Sequence, residues 1–449
     1  MNHALFQAWE KTLRCHGDER AVVQAVDGRS VTFRELDERA TTWLGAQAVD
    51  RKRLRRRPVV FAVRNGIGWF EIFLGLLKAG AVVVPLDMAE PAEEQRRLAE
   101  SLRAGFWWDG GQLVSLEGPG QIYHPTKCLI KLTSGSTGQP RPLVFTGEQL
   151  LADGRQVTAT MRIRPSDLNY ALIPLGHSYG LGNLVLPLLA HGVPLVCGTT
   201  MLPHAVAADF ALWKPTVFPG VPAMWRALAA SNLVLGSLRL GISAGAPLPP
   251  EVAKDFAARF GQRLHSFYGS SETGGIAYDR SGQPTLAGQV GWAMLGVKLT
   301  AWSRGRLLVS SAAVMTYGND RRDGKLGAWV MPDRVKLNAR GDLTIIGRAA
   351  QTVKIAGRRV NLAEVTERLR RLPGVHDVWV GMGAGNEPVL GAVVATKRTV
   401  VALRTALLAD TAAWKIPKKL IAVAALPITA RGKPDTRALR AMVFADRLN

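Results

Sequence analysis

The chain has 449 residues, 47% hydrophobic and 20% charged, a balance that excludes disorder driven by low hydrophobicity. Its 57 Lys+Arg against 35 Asp+Glu leave a net charge of +22. That excess points to anionic partners: nucleic acid, a phosphorylated cofactor, a membrane surface or an acidic protein. The 46 glycines and 25 prolines show no collagen-like or low-complexity period.

The amino-terminal residues hold no apolar run of signal-peptide length. In chain order, residues 58–63 (PVVFAV) read as a buried strand, 69–80 (WFEIFLGLLKAG) as a helix and 81–86 (AVVVPL) as another strand. Strands follow at 168–175, 193–198, 215–220 and 237–245. The alternation predicts parallel strands joined by crossover helices. Residues 168–208 contain no Asp, Glu, Lys or Arg, yet Pro174, Pro187, Pro194 and Pro203 interrupt them. Buried elements of an α/β core explain this stretch better than a membrane span, which needs about 20 apolar residues in one helical run. Cys15, Cys128 and Cys197 form no C-x-x-C pair, so neither a disulfide framework nor a zinc site is expected, and a reducing cytoplasm is the simplest home.

After Arg348 the pattern becomes a βαββα-like module, with helices over 360–372 and 400–410 and strands over 375–383 and 388–396. Residues 349–449 carry 17 Lys+Arg against 7 Asp+Glu, a net +10. This concentration marks 349–449 as a separate domain from 1–348.

Two segments carry chemistry. Leu132-Thr-Ser-Gly-Ser-Thr-Gly-Gln-Pro-Arg141 alternates hydroxyls and glycines and ends on a cation. Glycines let backbone N–H groups turn toward an anion, hydroxyls add donors and Arg141 adds charge, which suits a polyphosphate. The spacing is not that of a Walker loop. In Ser266-Phe-Tyr-Gly-Ser-Ser-Glu-Thr-Gly-Gly275, Tyr268 can stack on a base, Ser271 can donate to a phosphate and Glu272 can ligate Mg²⁺. Alone, either segment reads better as a surface turn.

Together and in this order they resemble the adenylate-forming superfamily of acyl- and aryl-CoA ligases, luciferases and peptide-synthetase adenylation domains. Leu77-Lys-Ala-Gly-Ala-Val-Val-Val-Pro-Leu-Asp87 is similar to its early structural motif, and Gly245-Ala246-Pro247-Leu to its adenine-side loop. Asp333, Gly347-Arg348, Lys354 and Gly357 are similar to its ribose-binding and hinge region, and Leu426–Lys433 to its terminal lysine motif. The likeness runs from about Val31 to Leu439. It implies an α/β fold: a large N-terminal α/β adenylation core of layered sheets and helices (1–348) and a small mobile α+β C-terminal domain (349–449).

The implied reaction is ATP-dependent activation of a carboxylic acid to an acyl-adenylate with release of pyrophosphate, followed by thioester formation with coenzyme A or an acyl carrier protein. A carboxylate and the α-phosphate are both anions, so a cation on the bridging oxygens and Mg²⁺ on the phosphates lower the barrier. The resemblance gives the first part to Lys433 and the metal to Glu272. It places Thr133, Ser134, Gly135, Ser136, Thr137, Gly138 and Arg141 on the phosphates. Gly245, Ala246, Pro247, Tyr268, Gly269 and Ser271 then surround the nucleotide, and Asp333 and Arg348 the ribose. Lys354 and Gly357 fall on the thiol side.

Three departures stand out. Arg141-Pro142 replaces Lys-Gly, Met331-Pro332-Asp333 replaces Thr-Gly-Asp, and Ala350 stands at the hinge position. The acid pocket is expected at His177, Ser178, Tyr179 and Gly180, with His177 as a further catalytic candidate. No acidic residue occurs from 168 to 208 to meet a substrate ammonium, whose burial unpaired is costly. Amino acids are therefore disfavoured against a fatty or aryl acid, a short aryl-acid ligase of the succinylbenzoate type being one form. The basic C-terminal segment suits an acidic carrier protein or the nucleotide end of coenzyme A.

Two rival readings are weaker. Gly241-Ile-Ser-Ala-Gly245 matches the hydrolase nucleophile elbow but leaves the other motifs unexplained. Arg51-Lys-Arg-Leu-Arg-Arg-Arg57 offers cations to nucleic acid, yet lacks interleaved aromatics and reads better as a solvated loop.

Overall fold

The apolar runs of the first three hundred residues fold as short strands buried on both faces, the pattern of a parallel sheet covered by helices. In chain order they are β1 Arg20–Gln24, β2 Ser30–Thr32, β3 Pro58–Phe61, β4 Val82–Pro85, β5 Phe106–Trp108, β6 Leu113–Ser115, β7 Lys127–Thr133 and β8 Arg141–Thr146. There follow β9 Asn169–Ala171, β10 Leu195–Cys197, β11 Val217–Gly220, β12 Leu240–Ser243, β13 Leu264–Ser270, β14 Gly274–Tyr278 and β15 Trp292–Ala293. The computed structural model describes residues 4–118, 120–133, 141–315, 327–338, 340–348, 352–355, 358–383, 389–408, 411, 415–429 and 434–444.

The strands make two sheets. One has the order β15-β14-β13-β12-β11-β9-β10-β1-β2 and the other β6-β5-β3-β4-β7-β8. The neighbours β3/β4, β9/β10, β9/β11 and β11/β12 pair parallel, as the alternating pattern predicted, and β13, a strand outside that prediction, pairs parallel to β12. Helix Ile67–Lys78, buried along most of its length, packs on helix Phe33–Gly45, whose start is fixed by a Thr32/Glu35 capping box. Residues 168–208 break up as expected into β9, short helical segments, β10 and the start of helix Pro203–Trp213. No described helix is long and apolar enough to cross a membrane.

The backbone divides into a larger unit, Met1–Thr300, Leu308–Val330 and Leu337–Thr344, and a smaller one, Ala301–Leu307, Met331–Lys336 and Ile345–Asn449. In the smaller unit helix Leu362–Arg370 precedes an antiparallel pair of strands, Val375–Met382 and Leu390–Thr396. A third strand, Lys419–Val423, pairs parallel to the second. Val365, Leu369, Val378, Leu390 and Leu403 form its apolar centre.

Strand β9 decides where a site can form. The chain leaves it to β10 on one side and reaches β11 on the other, so the crossovers diverge there. In open α/β sheets such a switch point opens a crevice beyond the carboxyl ends of the strands. Residues 176–182 follow β9, Gly245 follows β12, and Ser271 and Glu272 follow β13.

Candidate active site

The carboxyl ends of the two sheets meet at His177. Its Nε2 lies 2.8 Å from Oδ2 of Asp87, just past β4 of the six-stranded sheet. Asp87 is 8% exposed, and its Oδ1 accepts the N–H of Ala89 at 3.0 Å. An ionised carboxylate only accepts, so the imidazole donates from Nε2 and keeps Nδ1 for another partner. Asp87 appeared in the sequence only as the end of a structural motif. The acid missing from residues 168–208 thus arrives from 90 residues upstream, already engaged by His177.

The next residue makes a second junction. Ser178 Oγ donates to Ser271 Oγ at 2.8 Å, joining the acid-pocket segment to the Tyr268–Glu272 segment. Tyr179 turns inward: its hydroxyl donates to the carbonyls of Ile242 (3.1 Å) and Gly220 (3.3 Å), and its ring lies against Phe267. Burial first, and the nearby Tyr278, push its hydroxyl well above the usual tyrosine range, so it stays protonated. Gly180 is required by space, since any Cβ there would overlap the Pro174 carbonyl oxygen. Its helix runs into a π-helical turn at Leu181–Val185, a distortion common near functional sites.

Tyr268 and Gly269 lie in β13, which turns through Ser271 and Glu272 into β14. Tyr268 is 9% exposed. Glu272 sits at the turn with its backbone carbonyl accepting the N–H of Met315 at 2.8 Å. Gly245, Ala246 and Pro247 form an exposed loop beyond β12, with Gly245 at φ +86°. Ser243, the elbow candidate, ends β12 at 2% exposure, and the next helix starts only at Pro250. That is not a strand–nucleophile–helix turn.

Thr133 and Arg141 face each other across the β7/β8 hairpin, Thr133 Oγ1 reaching the Arg141 carbonyl at 3.5 Å. Arg141 places its guanidinium 5.8 Å from the Trp329 ring centroid. Pro142 stands opposite Leu132 on β8, an edge strand, where a proline is tolerated because half of the N–H groups face away from the sheet. Ser134, Gly135, Ser136, Thr137, Gly138, Gly357 and Lys433 lie outside the described residues. Asp333 belongs to strand Gly327–Leu337 and to the smaller unit; Arg348 ends strand Leu343–Arg348, and Lys354 lies on strand Thr352–Ile355. The basic run 51–57 forms a short helix, Arg51–Leu54, with Arg53 near the Phe106 ring and Arg56 bonded to the Tyr123 carbonyl at 2.6 Å.

The family model of AMP-binding enzymes matches residues 9–107 and 117–315, about two thirds of the chain. The chain belongs to the AMP-binding enzyme family. It is 26% identical to the sulfoacetate–CoA ligase of Cupriavidus necator, over 93% of each chain. With the benzoate–CoA ligase of Thauera aromatica it shares 27% identity, over 92% of this chain and 91% of that one. The ATP-bound crystal structure of MatB from Rhodopseudomonas palustris has the same fold, with a TM-score of 0.81 at 22% identity, covering 98% of this chain and 99% of that one. Activation of an acid through an acyl-adenylate, followed by thioester formation, is the reaction class that goes with this membership.

Proposed function

We propose that the protein is an AMP-forming acid–thiol ligase for a fatty or aryl acid, passing the acyl group to coenzyme A or to the phosphopantetheine of an acidic carrier protein. The observation that carries this reading is the double junction at His177-Ser178. There, the segment expected to hold the acid is bonded to Asp87 on one side and to Ser271, beside Glu272, on the other. This bonding supports neighbouring places for the acid and for the Tyr268–Glu272 side of the nucleotide.

In this reading His177, held by Asp87, presents Nδ1 to the acid, and Ser178 and Gly180 complete the pocket wall. Tyr179 supports the wall through the sheet carbonyls. Tyr268, Gly269, Ser271 and the Gly245–Pro247 loop surround the adenylate, and Thr133 and Arg141 anchor the ends of the phosphate loop. Asp333 and Arg348 take the ribose, and Lys354 and Gly357 the thiol side. Glu272 is a fitting donor for Mg²⁺, which keeps several waters and is held by one or two carboxylates together with substrate phosphates. When bound, the ion neutralises phosphate charge. The carboxylate that would pair with a substrate ammonium is taken by His177, which favours acids without an amino group.

ATP–pyrophosphate exchange over a panel of fatty, aryl and amino acids, followed by trials of coenzyme A and carrier protein, tests the reading. Exchange with a fatty or aryl acid is expected; exchange with amino acids alone would overturn it. Lys433→Ala should abolish exchange while sparing transfer from a supplied acyl-adenylate. Normal exchange by that variant would remove Lys433 from its role.

A further inference from the structure

Two buried ionisable side chains, Lys131 and Asp153, have no role in anything described so far. Lys131 lies on β7, two residues before Thr133, and is 3% exposed. Its Nζ is 4.4 Å from the ring centroid of Phe145 on the neighbouring β8. Asp153, also 3% exposed, projects from helix Gly147–Met161. Its Oδ1 accepts the N–H of Gly275 at 3.0 Å. A Cβ on Gly274 would overlap that oxygen, and a Cβ on Gly182 would come within 3.3 Å of Oδ2. Asp153 therefore fills the space between the residues that follow Glu272 and the acid-pocket segment.

Electrostatics tie Glu272 to the pair. Burial holds the Lys131 amine below its usual range, and the charges of Asp153 and Glu272 offset this only in part. Burial likewise pushes the Asp153 carboxyl above its usual range, against Lys131 and the Gly275 N–H. Burying two ions generally costs more than burying an apolar pair of the same volume. The run Cys128-Leu-Ile-Lys-Leu132 would remain a good buried strand with an apolar side chain at 131. The fold alone gives no reason for the lysine.

We propose that Lys131 and Asp153 are positioning residues for the nucleotide site. Asp153 braces the turn after Glu272 through Gly275, and Lys131, two residues before Thr133 on β7, holds the base of the phosphate-loop hairpin against Phe145 on β8. The inference rests on the adenylation reading above.

The test uses the full chain and titration calorimetry with MgATP in the absence of any acid, alongside thermal unfolding. In Lys131→Met/Asp153→Asn no lone charge is buried, and the amide oxygen that replaces the Asp153 carboxylate still accepts from Gly275. We expect its unfolding temperature to stay near that of the parent while the ATP dissociation constant rises about tenfold or more. The KM for ATP in pyrophosphate exchange should rise with it, leaving the KM for the acid unchanged. A folded double variant that binds ATP as the parent does would overturn the proposal and leave the adenylation reading intact; a parent that does not bind ATP would overturn both. If the double variant does not fold, Asp153→Asn alone decides: weakened ATP binding supports the proposal, and unchanged binding overturns it.

Discussion

In the larger unit several ionisable side chains lie inside: Lys131 and Asp153 are each 3% exposed, Asp167 5% and Asp87 8%. Asp87 meets His177, Asp167 meets Arg239, Asp153 accepts the N–H of Gly275 and Lys131 lies over the Phe145 ring. In the smaller unit the described ion pairs lie in water. Glu364 meets Lys415 at 3.0 Å and Arg368 at 3.3 Å, and Glu367 meets Arg371 at 3.2 Å, all around helix Leu362–Arg370. The described ion pairs of the smaller unit are thus a surface feature, whereas the buried ionisable groups of the larger unit are placed singly. Desolvation makes the difference physical: a buried ion is held in one geometry or costs several kcal/mol, while an exposed one is hydrated and interchangeable.

The sharpest way to test this contrast is at the His177–Asp87 pair. Asp87→Asn keeps the size of the side chain but loses the charge that fixes the imidazole. A hydrogen bond to a charged group is worth about 1.5–3 kcal/mol, so kcat/KM for the acid should fall about tenfold or more. The double variant with His177→Ala should be no worse than His177→Ala alone, since both act through one group. Additive losses would show that Asp87 works elsewhere.

A smaller effect is expected at the amino ends of the strands of the nine-stranded sheet, just before β9 and β12. There Asp167 accepts from Arg239 Nη2 (2.7 Å) and Nε (2.9 Å), the Thr216 hydroxyl (2.9 Å) and the Arg164 N–H (2.9 Å). With Arg162, Arg164 and Ser166, the pair lines a cleft of about 300 Å³. Burial alone would push the carboxyl up, but these donors outweigh it and hold it below the usual range. A lowered native value means that the stabilisation is present above the ordinary carboxylate pKa and is lost as pH falls through the native value. Asp167→Asn should cost about 1–3 kcal/mol at neutral pH, toward the lower end because Arg239 is 45% exposed. In denaturant titrations the gap should close below about pH 4. A gap that stays constant with pH would mean that shape, not charge, is what the pair supplies.

The strands and the loop motifs were legible because their signals are local: runs of Val, Ile and Leu bounded by Gly or Pro, and hydroxyls interleaved with glycines. The paired charges were not. Asp87 and His177 are 90 residues apart, and Lys131 sits in a strand that reads as hydrophobic with or without it. Asp153 is one polar residue in a helix, and only the folded positions of Gly274 and Gly182 show why it is there. Tyr179 shows the same limit from the other side. Its segment placed it at the pocket, while its hydroxyl is spent on the carbonyls of Gly220 and Ile242. Pro142 read as an anomaly until β8 proved to be an edge strand.

The smallest predicted effect tests the other half of the contrast. Glu364, with 37% of its side chain exposed, is held below the usual carboxylate range first by its hydrogen bond to Lys415, against a smaller upward push from burial, with Arg368 adding to the same side. In water such a pair gains little, because both ions are already hydrated and two long side chains lose freedom on meeting. Glu364→Gln should therefore cost no more than about 0.5–1 kcal/mol in a denaturant titration at neutral pH. Most of that should vanish in about 1 M salt, where screening acts within about 3 Å. A loss above about 2 kcal/mol that survives salt would mean that the smaller unit also carries a charge fixed by desolvation. Its surplus of cations would then include placed groups, and the division between inner and outer charge would no longer follow the division between the units.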